Sequence, residues 1–140
     1  MSAASVPPDG LRDAFEGAVY EVALQDGPKE FRTGPHGVAT APFVIISGWN
    51  PGGAELCLDE NVARDAGLKA AIRARGWRWL AAENRASDET HVEPGYAIFE
   101  VPVGEVAAMA AQFGQLAVFA WDGRIGRIVW LDSYGVEPSR

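Results

Sequence analysis

The sequence predicts an α+β fold, a ferredoxin-like split β-α-β sandwich: a mostly antiparallel sheet with two helices on one face and extra N- and C-terminal strands. Three observations lead there. From Phe43 onward the hydrophobic periodicities run strand, helix, strand, strand, helix, strand, strand. Right-handed crossovers then put both helices on the same face. The stretches at 77–82 and 96–101 have no helical pattern between them. That favours this arrangement over its alternative, an α/β doubly wound three-layer fold with a parallel sheet.

Residues 1–17 include Pro7-Pro8-Asp9-Gly10 and read as a flexible lead-in. A single domain is expected over 18–134, with a tail at 135–140. Residues 18–24 alternate as a strand, and 25–42 hold Gly27, Pro28, Gly34, Pro35 and Gly37, so they read as a loop. Residues 43–49 are apolar and β-branched, a buried strand that stops at Asn50-Pro51-Gly52-Gly53. Asp59 offers an N-cap and Glu60 suits a first helical turn. A helix over 61–75 follows, carrying Leu68, Ala71 and Ile72 at helical spacing, with Gly76 as its stop. Strands at 77–82 and 96–101 flank a polar loop at 84–93. A second helix over 103–113 aligns Val106, Met109, Ala110 and Phe113, and Gly114 ends it. Strands at 116–121 and 125–131 meet at the turn Asp122-Gly123.

A length of 140 residues suits one domain with a proper core. No apolar run is long enough to span a membrane, and the first residues lack the pattern of a signal peptide. Cys57 is the only cysteine, so no intrachain disulfide can form and a cytoplasmic setting is expected. The formal charge of −7 repels phosphate backbones and makes nucleic acid a poor partner.

The split topology brings distant polar residues to one edge. The strands starting near Tyr96 and Leu116 run antiparallel to 43–49, so Asn50, Glu93 and Gln115 should converge at its C-terminal end. Asn61, Arg64, Leu68 and Ile72 share one helix face. Leu68 and Ile72 mark that face as inward, so Asn61 and Arg64 continue it toward the same edge. A helix N-terminus and Arg64 together suit a carboxylate or phosphate. Asn50 and Gln115 would hydrogen-bond a small polar or anionic ligand, Trp49 would wall the pocket, and Glu93 would neutralise Arg64 or transfer a proton.

The segments Gly48-Trp49-Asn50-Pro51-Gly52-Gly53, Glu60-Asn61 with Arg64, Glu93-Pro94-Gly95-Tyr96 and 113–119 resemble a bacterial family of unknown function, number 3293. The resemblance runs from about Phe43 to Phe119 and implies no assigned activity. It adds weight to Asn50, Asn61, Arg64, Glu93 and Gln115 as a set.

Plainer readings stand beside these. Asn50-Pro51-Gly52-Gly53 is first a turn. Its likeness to the strand end of mismatch-type uracil–DNA glycosylases lacks that family's second loop motif. Arg64 with Glu93 is also a structural ion pair, and Gln115 a helix cap. His36 and His91 sit in expected loops without metal-ligand spacing, so neither metal nor cofactor is expected. No phosphate loop, dinucleotide fingerprint or serine nucleophile motif occurs. A non-enzymatic interaction module, or a homodimer paired through an edge strand rather than a monomer, is the alternative to ligand binding.

Overall fold

The computed structural model describes residues 9–35, 40–86 and 92–131. Their elements, in chain order, are α1 (Asp9–Glu16), β1 (Val19–Leu24), β2 (Gly27–Phe31), β3 (Gly34–Pro35), β4 (Phe43–Ile46), a 3-10 turn (Pro51–Gly53), α2 (Leu58–Arg75), β5 (Arg78–Arg85), β6 (Val92–Phe99), α3 (Val103–Gln112), β7 (Ala117–Trp121) and β8 (Ile125–Trp130). The strands form one eight-stranded sheet in the order β2-β1-β5-β6-β4-β7-β8-β3. Every described pairing is antiparallel, which overturns the doubly wound alternative. None of the described helices is long and apolar enough to cross a membrane.

The sheet curls until its two ends approach. β2 and β3 are its outermost strands, yet only Arg32 and Thr33 separate them in sequence. Three Cα steps reach at most about 11 Å. Rings confirm the curl. Tyr20 on β1 stacks on Phe119 on β7 with centroids 4.2 Å apart. Those strands stand four positions apart in the order, about 19 Å in a flat sheet. Phe31 on β2 meets Trp121 on β7 at 5.0 Å. The seam is tight. A Cβ on Gly126 of β8 would lie 2.3 Å from the Arg32 carbonyl oxygen and 2.5 Å from the Phe119 ring. Only glycine lets the chain crossing between the edges pass this close.

Period-two alternation then gives the central strands β4, β6 and β7 two buried faces. Inside the curl lie Tyr20, Val22, Phe31, Phe43, Ile45, Ala97, Phe99, Phe119 and Trp121. On the outer face Val44, Ile46, Tyr96, Ile98, Val118 and Ala120 pack under Leu68 and Ile72 of α2 and Val106, Met109 and Ala110 of α3. This double burial explains why 43–46 and 117–121 read as unbroken apolar runs.

Several expected boundaries move. The expected loop over 25–42 contains β2 and β3, both edge strands, where Pro28 and Pro35 need donate nothing to a neighbour. Residues 9–16 of the expected lead-in form α1, which rests on β8 through Phe15 and Trp130, 4.9 Å apart. The expected loop over 84–93 is shorter, because β5 runs on to Arg85 and β6 starts at Val92. α2 begins at Leu58 rather than Asn61, with Cys57 and not Asp59 at its N-cap. The Cys57 N–H donates to Glu60 Oε1 at 3.3 Å, so Glu60 satisfies an amide just outside the helix. His36, His91 and the tail at 135–140 lie outside the described residues.

Candidate functional site

The inward-facing rows change character at one end of the curl. On β6 the row runs Phe99, Ala97, Gly95, Glu93, and on β5 it ends at Asn84. On β4 the row Phe43, Ile45 is followed by Ser47. Register makes this a level. Tyr20 pairs with Asn84, and Asn84 pairs with Glu93. Aromatic packing therefore gives way to a polar tier. A cavity of about 260 Å³ opens there, lined by Tyr20, Ser47, Asn50, Glu55, Asn84, Glu93 and Gln115 on its polar side. Phe15, Ile45 and Phe119 line its apolar side, and Ala14 and Phe15 bring α1 to its wall.

The strand end at Asn50 is tied from every direction. Asn50 adopts left-handed backbone with φ 47°, a conformation that Asn tolerates better than most residues. Its N–H donates to Asn61 Oδ1 at 2.9 Å, and Asn61 Nδ2 donates back to Asn50 Oδ1 at 2.9 Å. The Leu56 N–H also donates to Asn50 Oδ1, at 3.0 Å. Leu56 N–H can only donate, so the orientation of the Asn50 amide is fixed by the network. Asn50 Nδ2 consequently faces Glu93 and donates to Oε2 at 3.0 Å. Asn61 is 2% exposed and places a third bond on the Leu56 carbonyl at 3.3 Å.

Asn50 thus bonds to both Asn61 and Glu93, and Gln115 reaches the neighbouring residue. Gln115 Nε2 donates to the Trp49 carbonyl at 3.0 Å. Gly52 N–H donates to the Gly114 carbonyl at 2.8 Å, docking the turn onto the end of α3. Ser47 Oγ donates to the Pro94 carbonyl at 2.9 Å and accepts from Trp49 N–H at 3.1 Å. A Cβ on Gly95 would sit 2.6 Å from the Ile46 carbonyl oxygen, so β6 can press against β4 here only as glycine.

Two expected roles change. Arg64 forms no ion pair with Glu93. Its Nε donates to the Gly48 carbonyl at 2.8 Å and its terminal nitrogen to the Phe113 carbonyl. The guanidinium spans the end of β4 and the C-terminal cap of α3, where orphan carbonyls gather. It is absent from the cavity lining, whose charged members are Glu55 and Glu93 among the described residues. Trp49 is half-buried but does not line the cavity either, and its indole N–H is buried without a described partner.

Tyr20, Asn84, Phe119 and Phe15 join the site although no motif marked them. The signal available was alternation: Ala18, Tyr20 and Val22 share a face, and Asn84 follows Ala82 on the next strand. Their meeting depends on the curl.

Burial pushes the Tyr20 hydroxyl well above its ordinary pKa, and the Glu93 charge pushes it further. Tyr96, on the outer face, is raised by burial first and then by the bond its hydroxyl donates to Asp65 Oδ2 at 2.8 Å. Both phenols stay protonated in the fold beyond the point, near pH 10, where an unfolded tyrosine ionises. Above that pH the unfolded state binds fewer protons than the folded one, so stability falls as pH rises. We expect a loss of about 1 kcal/mol per tyrosine for each pH unit above 10. Urea unfolding should show a shallower alkaline slope in Tyr96→Phe than in wild type. An identical slope would remove Tyr96 as a cause.

A model of the family described as Protein of unknown function (DUF3293) matches residues 46–118, just over half of the chain. The matched span contains Asn50, Asn61, Arg64, Glu93 and Gln115. No curated protein and no solved structure matches the chain.

Proposed function

The chain belongs to the DUF3293 family of proteins of unknown function, and on that footing we propose that it binds a small polar molecule at the open end of its curled sheet. The observation that carries this reading is the polar tier in an otherwise aromatic interior. Tyr20, Asn84 and Glu93 stand at one level around a cavity of about 260 Å³, with Asn50 and Gln115 beside them. Asn50, Asn84, Glu93 and Gln115 are half-buried, so their polar groups stay within reach of a ligand, while the Tyr20 hydroxyl donates to the Phe15 carbonyl at 3.2 Å. In this reading Asn50 and Asn61 form the scaffold, Asn84 and Gln115 contact the ligand, and Glu93 orients it or exchanges a proton with it. Arg64 is part of the scaffold, so an anion loses its expected counterion. A hydrolase that used Asn50 to hold a water has less support, because Asn50 Oδ1 already accepts from Leu56 and Asn61. Strand-addition partners also have less support, since both edge strands carry proline. The split β-α-β reading extends to the four strands β5-β6-β4-β7 with α2 and α3, and we retain it for that subset.

The test is a thermal-shift screen of nucleotides, amino acids, organic acids and amines. A true ligand at about 100 times its Kd adds roughly 2.7 kcal/mol. Stabilisation that disappears in Glu93→Gln and in Asn84→Ala supports the cavity. Stabilisation unchanged in both variants, or a screen with no response, counts against it.

A further inference from the structure

We infer that the ligand is a neutral flat ring bearing a carboxamide or lactam edge, with a hydrogen-bond donor and an acceptor side by side. This rests on the cavity being the binding site and adds the chemical class. Several polar groups of the tier are already engaged. The Asn50 amide donates to Glu93 Oε2 and accepts from Leu56 N–H and Asn61 Nδ2. Ser47 Oγ donates to the Pro94 carbonyl and accepts from Trp49 N–H. The Tyr20 hydroxyl gives its proton to the Phe15 carbonyl. Two neutral amides remain open. Asn84 lines the cavity half-buried, and neither end of its amide has a hydrogen bond among the described residues. Gln115 donates from Nε2 to the Trp49 carbonyl, which can only accept, so Oε1 is the end left without a bond among the described residues. The site therefore offers a donor and an acceptor on Asn84 and an acceptor on Gln115, all uncharged.

A carboxamide or lactam is their complement. Its N–H donates to Gln115 Oε1 and its C=O accepts from Asn84 Nδ2. It carries these on separate atoms, which suits side chains on two elements, the end of β5 and the residues just before β7. A hydroxyl holds both functions on one atom, a carboxylate has no donor and an amidinium has no acceptor. The walls define the rest of the ligand. Phe15, Tyr20 and Phe119 supply aromatic surface. Tyr20 and Phe119 lie nearly parallel, 16° apart, and form one stacked unit. A flat ring packs against such a surface in offset or edge-on contact. Size sets the limit. At about 30 Å³ for each water-sized group, 260 Å³ holds roughly nine non-hydrogen atoms. That is the scale of benzamide and too small for a nucleotide.

The experiment compares four probes of one shape: benzamide, acetophenone, benzoate and benzamidine. Affinities come from calorimetry at pH 7, and sites from amide NMR shifts of Tyr20, Asn84 and Gln115. We expect benzamide to shift those amides and to bind at least tenfold more tightly than each of the others, since each of them leaves a polar group of the site unpaired. Its affinity in wild type should not change with salt, as befits an uncharged ligand. Both readouts are independent of whether any variant folds. Asn84→Leu, close to asparagine in shape, should cut benzamide affinity at least tenfold. Unchanged affinity in that variant overturns the assignment. If acetophenone, benzoate or benzamidine acts on the same amides and binds as tightly as benzamide, the carboxamide assignment falls and the cavity stands. If no probe shifts those amides, the carboxamide assignment falls. If the wider screen is also silent, the cavity reading falls with it.

Discussion

Arg64→Met is expected to lower the free energy of unfolding by about 3–6 kcal/mol, measured by urea denaturation with an unchanged slope. The figure follows from two charge-assisted hydrogen bonds of about 1.5–3 kcal/mol each. Arg64 donates to the Gly48 carbonyl at the end of β4 and to the Phe113 carbonyl at the end of α3. Methionine preserves most of the stem but leaves both oxygens without that donor. A cation over the C-terminal end of a helix also meets the negative pole of its dipole, and that is lost too. Arg64→Lys should recover little, since one ammonium cannot match a planar fork that bonds two separate carbonyls. Normal stability in Arg64→Met, with ligand response abolished, would return Arg64 to the role of an anion-binding group.

This role shows how far the sequence reaches. Helical spacing put Arg64 on the inward stripe with Leu68 and Ile72, and that placement holds. Periodicity says which way a side chain faces but not whether it will meet a carboxylate, a ligand or a main-chain oxygen. The convergence of Asn50, Asn61, Glu93 and Gln115 was legible because it depends on strand direction and helix phase, both strongly patterned. β2 and β3 were not legible. Gly27, Pro28, Gly34 and Pro35 are turn residues by composition, and only an edge position makes them compatible with strands. The curl was hidden for a related reason. It depends on Gly126 admitting the Arg32 carbonyl and on rings from β1, β2 and β7 meeting across the interior. No local pattern encodes those contacts. Tyr20, Asn84 and Phe119 therefore join the site only once the sheet is rolled.

Asn50→Asp, a nearly isosteric change, is expected to cost about 3–5 kcal/mol at pH 7, and the loss should shrink in acid. The Asp oxygen in the Oδ1 position still accepts from Leu56 N–H and Asn61 Nδ2, so the turn keeps those anchors. The other oxygen replaces an N–H that donates to Glu93 Oε2 at 3.0 Å. A hydrogen bond becomes a repulsion between carboxylates, about 4 kcal/mol for unit charges 4 Å apart at an effective dielectric constant of 20. Two carboxyls at such range share a proton, which raises one folded-state pKa above that of the unfolded chain. In that window the folded variant binds a proton that the unfolded variant lacks. Its stability relative to wild type therefore rises as pH falls through the raised pKa, and levels off below about pH 4, where unfolded carboxyls protonate as well. Asn50→Ala is the control. It removes the acceptor for Leu56 and Asn61 and strains a left-handed residue without adding charge, so its deficit should not vary with pH over the same range. A flat difference for Asn50→Asp would mean that residue 50 and Glu93 do not touch, and the polar tier would lose the contact that orients its carboxylate.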